Sequence, residues 1–100
     1  MADLRTQIEK GIKLQHEGRL NEAADCYADI LARDPMHADA NHLRGLVAHQ
    51  QGYHDAALVF IDKAINECPE VPMYHANRGR ILKATGNSIA AASAYAKALR

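Results

Sequence analysis

The side chains with most capacity for chemistry in this 100-residue chain are six histidines, two cysteines and two serines. His42 and His49 lie seven residues apart, which on a helix puts them on one face but about 10 Å apart along the axis. Nitrogens so separated cannot share a zinc held at about 2 Å from each. No H-x-x-x-H or H-E-x-x-H spacing occurs, so the histidines predict no metal site. Cys26 and Cys68 are far apart and form no C-x-x-C pair, which reads as two reduced, unrelated thiols. Ser88 and Ser93 sit outside any Gly-x-Ser-x-Gly elbow, and no Gly-Lys-Ser/Thr follows a glycine to make a phosphate loop. The expectation is a chain with no catalytic residue, no metal and no cofactor.

Charge narrows the partners. Net charge is zero, yet residues 1–70 carry −5 and residues 71–100 carry +5, the latter with no Asp or Glu at all. Arg78, Arg80, Lys83, Lys97 and Arg100 lack the aromatic platform or motif of a nucleic-acid binder, so no DNA or RNA partner is expected. No apolar run is long enough to span a membrane, and the start of the chain lacks a signal-peptide core. With unpaired thiols, this predicts a cytoplasmic protein.

What positions these residues is a repeat. Gly11, Gly18, Gly45, Gly52, Gly79 and Gly86 form a Gly-x6-Gly pair recurring every 34 residues. Ala23, Ala57 and Ala91 keep the same beat, as do Tyr27, Ile61 and Tyr95, then Ile30, Ala64 and Ala98, then Pro35 and Pro69. The apolar spacing within each unit is helical. It predicts first helices near 3–16, 38–51 and 72–85, and second helices near 20–33, 54–67 and 88–100. Gly18, Gly52 and Gly86 are expected in tight left-handed links, with Asn21 and Ser88 capping the helices that follow. Gly11, Gly45 and Gly79 fall mid-helix, where each costs about 1 kcal/mol against alanine. The expected return is close approach to Ala23, Ala57 and Ala91, with Tyr27, Ile61 and Tyr95 filling the space a turn further on.

These columns resemble the tetratricopeptide repeat: a glycine in the first helix, an alanine and an aromatic in the second, a closing proline. The resemblance implies an all-α, right-handed α-solenoid of three antiparallel helix-turn-helix units, about 4–37, 38–71 and 72–100, in a single domain 1–100. Two departures stand out. The family's Trp column reads Gln7, Asn41 and His75, and its Leu column reads Lys10, Arg44 and Arg78. The basic column is expected to lay its methylene stems on the apolar seam and send its charged heads to water.

In that family the first helices line a concave face that binds peptides. Carried over, the face holds Arg5, Ile8, Ile12 and Gln15, then His42, Leu46 and His49, then Met73, Asn77, Arg80 and Lys83. The implied function is non-catalytic protein–protein interaction, with a protein or peptide partner that offers an apolar anchor and an acidic end. The carboxylate clamp of chaperone-tail binders would fall on Ile8, Ile12, Leu43, Met73 and Asn77, none of which matches it. The asparagine ladder of O-GlcNAc transferases keeps one rung, Asn77. The wording of the second and third units also resembles N-terminal repeats of bacterial transferases, which implies an alternative role as a substrate-presenting or regulatory arm. The last helix is apolar nearly all round. It predicts self-association through Ile89, Ala92, Tyr95, Ala96 and Leu99, hence a homo-oligomer or scaffold.

Overall fold

Asp3 begins the first helix: its carboxylate accepts from the Thr6 backbone N–H at 2.8 Å, a cap that holds its pKa below the usual range. In the computed structural model, which describes residues 3–86, 94 and 96–99, this helix is α1, Leu4–His16. It is followed by α2 (Leu20–Arg33), α3 (Ala38–Gln50), α4 (His54–Glu67) and α5 (Pro72–Ala84). Residues 94 and 96–98 are also helical. No strand occurs among the described residues, and no described helix is long and apolar enough to cross a membrane.

The first helices α1 and α3 end in the same lock. Gly18 N–H bonds back to Gln15 O and Arg19 N–H to Leu14 O; Gly52 N–H bonds to His49 O and Tyr53 N–H to Ala48 O. This two-bond closure needs a left-handed residue, and Gly18, Gly52 and Gly86 take it at φ 77, 87 and 86°. Helices α2 and α4 start without a side-chain cap. The cap expected of Asn21 is therefore absent: α2 starts one residue earlier, and Asn21 Oδ1 instead accepts from Gln51 Nε2 at 2.8 Å in the next unit. Ser88 lies outside the described residues. His37, not singled out from sequence, caps α3 by accepting from Ala40 N–H on Nδ1 at 3.1 Å. Pro72 opens α5 in the first turn, where its missing N–H costs nothing.

Antiparallel hairpins α1–α2 and α3–α4 stack through α2 against α3, and α5 continues the pile against α4. Tyr27, Ile30, Ala23, Ala40 and Val47 are fully buried in the first core, and Ala57, Ile61 and Ile81 in the second. Each large side chain so buried contributes about 1.5–3 kcal/mol, which outweighs the cost of the mid-helix glycines. Their partners follow the expectation only in part. A β-carbon at Gly11 would strike the Tyr27 ring, its Cζ at 2.8 Å. At Gly45 it would meet Ile61 Cγ1 at 2.9 Å and the Ala57 carbonyl oxygen at 3.0 Å. Tyr27 and Ile61 thus lie directly over Gly11 and Gly45, with Ala57 also against Gly45; Ala91 and Tyr95 lie outside the described residues.

The basic column also departs. Lys10 is exposed, but the Arg44 guanidinium stacks 5.0 Å over Phe60, and its Nη1 is buried without a partner among the described residues. Arg78 Nε pairs with Asp62 at 2.7 Å. The position equivalent to Asp62 one unit earlier is Ala28, so Arg44 has no matching acid. Of the residues expected to self-associate, Ile89, Ala92 and Tyr95 lie outside the described residues; Ala96 is exposed and Leu99 is 89% exposed.

Candidate peptide-binding face

The first helices α1, α3 and α5 run side by side and are stitched by side chains set 35 residues apart. Gln15 Nε2 donates to Gln50 Oε1 at 2.7 Å, Tyr74 Oη donates to Asp39 Oδ1, and Asn77 Nδ2 donates to His42 Nε2 at 2.8 Å. Tyr74 also packs its ring against His42, centroids 4.6 Å apart. These bonds settle two expected face residues differently. His42 is 5% exposed and Asn77 7%. Both are spent on joining α3 to α5 and are closed to a ligand, a correction to their place on an open face. The reason is chemical: a buried polar side chain needs a partner, and each is the other's. Burial holds His42 neutral by pushing its pKa down, against the pull of Asp39, and Nε2 then stands free to accept.

Gln15 is similarly engaged. Its Oε1 accepts from the buried Tyr27 hydroxyl at 3.0 Å, whose pKa burial pushes up to about 12. Ile8 is half-buried against the first core. Two rows cross the three helices, fully exposed only at Arg80 and Lys83. Ile12, Leu46 and Arg80 occupy one repeat column, and Gln15, His49 and Lys83 the column three residues on. Ile12 and Leu46 are half-buried and belong to neither core; Arg80 and Lys83 are exposed. Met73 is 63% exposed at the edge of α5, and Arg5 is exposed on α1. Both rows therefore pass from neutral to basic across the three helices.

His49 has a partner that sequence reasoning missed. Its Nδ1 lies 3.0 Å from His54 Nδ1, ring centroids 4.9 Å apart. The signal was available: a three-residue link through Gly52 must bring the end of α3 beside the start of α4. No group of three or more His, Cys, Asp or Glu side chains converges among the described residues. Cys26 donates its thiol to the Gln7 carbonyl at 3.2 Å, and burial pushes its pKa up, which disfavours the nucleophilic thiolate. A concavity of about 690 Å³, lined by Ile65, Pro69, Glu70, Pro72, His75 and Lys97, contains no residue of the two rows.

Stacked antiparallel hairpins with glycine-locked links define a helical-repeat protein. Residues 38–70 match the tetratricopeptide repeat family, and the chain has the tetratricopeptide-repeat fold. No curated protein matches the chain. It superposes on the crystal structure of MamA with a TM-score of 0.88 at 24% identity, covering 97% of this chain and 57% of that one. It spans little more than half of MamA. The first repeat domain of Spaghetti (RPAP3), bound to the HSP90 peptide SRMEEVD, gives a TM-score of 0.91 at 22% identity, covering 96% and 76%. The Yersinia enterocolitica type III secretion chaperone SycD, in complex with a peptide of the translocator YopD, gives 0.89 at 15% identity, covering 95% and 72%.

Proposed function

We propose that this chain is a non-catalytic protein-interaction module that takes a partner segment across α1, α3 and α5. The observation that carries the reading is the pair of rows Ile12–Leu46–Arg80 and Gln15–His49–Lys83, part-exposed along their length and ending on the exposed Arg80 and Lys83. The partner lays an apolar anchor on Ile12 and Leu46 and an acidic end toward Arg80 and Lys83, with Met73 at the border. Two relatives of this fold hold peptides, and the one held by RPAP3 carries acidic residues near its end. The Arg80 guanidinium matches a carboxylate with paired hydrogen bonds, whereas Lys83 supplies a point charge.

The test is fluorescence anisotropy with labelled peptides of leucines followed by either an aspartate or a lysine run. The aspartate peptide is expected to bind. Arg80→Ala should weaken it roughly 10-fold, the loss of one charge-assisted contact, and added salt should weaken it further. Preference for the lysine peptide overturns the reading.

A further inference from the structure

The His49–His54 pair has no role in holding the fold's cores, yet it sits in the row that ends on Lys83. His49 is the penultimate residue of α3 and His54 the first of α4. The two helix ends have opposite electrostatic preferences: a C-terminus stabilises a positive charge and an N-terminus opposes it. A proton shared by the pair therefore belongs on His49 Nδ1, donated to a neutral His54 Nδ1 3.0 Å away. The charged or titratable groups that bear on His49 are His54 from α4 and Arg80 from α5; α1 contributes the neutral Gln15 to the same row, and no carboxylate among the described residues bears on it. Burial first, then His54 and Arg80, push the His49 pKa down, which favours the neutral His49 ring in the free chain.

We propose that this pair makes binding of an acidic segment proton-coupled: as the partner's carboxylates settle beside Arg80, the pair takes up about one proton from solvent, held on His49 Nδ1. The inference rests on the proposed function and adds its regulation. A carboxylate offsets the Arg80 field and supplies the counter-charge that the free face lacks. The protonated ring in turn adds a third cation to Arg80 and Lys83. Binding and protonation are then linked in both directions, and the affinity for acidic segments rises as pH falls through the histidine range.

Isothermal titration of the full chain with the leucine–aspartate peptide, in phosphate and in Tris at about pH 7, reads the proton directly through the buffer-dependent heat. Uptake approaching one proton is expected, with affinity about 10-fold higher at about pH 6 than at about pH 8. His49→Gln should abolish the uptake and flatten the pH dependence; His75→Gln, whose ring contacts the Pro69 carbonyl, should keep both. Should His49→Gln fail to fold, the His49 ring resonance of the unaltered chain serves instead, and its pKa must rise when the peptide is added. Binding with a buffer-independent heat and equal affinity at both pH values overturns the proton coupling and leaves the proposed function standing. No binding at either pH overturns both.

Discussion

At Gly45 the chain trades helix propensity for contact. Alanine there would gain about 1 kcal/mol of propensity, but its β-carbon would press on Ile61 and on the Ala57 carbonyl oxygen, which is backbone and cannot swing aside. The clash wins. Gly45→Ala is expected to destabilise the fold by about 1–3 kcal/mol in urea denaturation. His42 and His49 give a second residue-scale expectation. Both have pKa values pushed below the ordinary histidine value, burial being the main cause. The unfolded chain therefore binds protons that the folded chain refuses. Stability is complete above the unfolded value of about 6.5 and is lost as pH falls through it toward the folded values. The urea midpoint should drop between about pH 7.5 and about pH 5, and His42→Gln should shrink that drop. A midpoint that rises on acidification would contradict the burial of neutral rings.

Between elements, the bonds that span units matter more than the capping of any one helix. A double-mutant cycle of His42→Ala and Asn77→Ala should return a coupling of about 0.5–1.5 kcal/mol, since each single change strands the other buried partner. Near-zero coupling would show that α3 and α5 are held by packing alone. This is also the scale at which the sequence is least legible. The 34-residue columns set the spans of α1 to α5 to within a residue or so, because glycine links and prolines leave few alternatives for a terminus; the helix expected over 88–100 lies largely outside the described residues. The same columns put His42 and Asn77 on an open face, because register along one helix is blind to its neighbour. Which inner positions are consumed by stitching depends on how far α5 slides along α3, and no local pattern encodes that offset. Arg44 follows the same logic: its column predicts a solvated head, but Phe60 in place of Cys26 and Ala28 in place of Asp62 decide where the head goes. Arg80 and Lys83 are exposed and Ile12 and Leu46 half-buried; the positions 35 residues before Arg80 and Lys83 are Gly45 and Ala48, which offer no polar side chain to engage them.

Across the whole molecule, contacts run between consecutive helices, with only light contact between α1 and α3 and between α3 and α5. The chain is 44 Å long and 18 Å across its thinnest axis. α1 leans chiefly on α2, whereas α3 and α4 are enclosed on both sides. Native-state hydrogen exchange should therefore grade along the pile, with α3 and α4 amides slowest and α1 released at lower free energy. Uniform exchange would mean a single all-or-none unit. The neighbour-only pattern has a further consequence, for the order of events in time. No helix must search for a partner across a long stretch of disordered chain, so the loop-closure entropy of folding stays small and the contact order low. Such a chain can condense hairpin by hairpin as it emerges from synthesis. Arg80 and Lys83 sit on the last of the three face helices, so the two rows are completed only once α5 docks. A nascent chain of two units still lacks the basic end that the proposed acidic segment would meet.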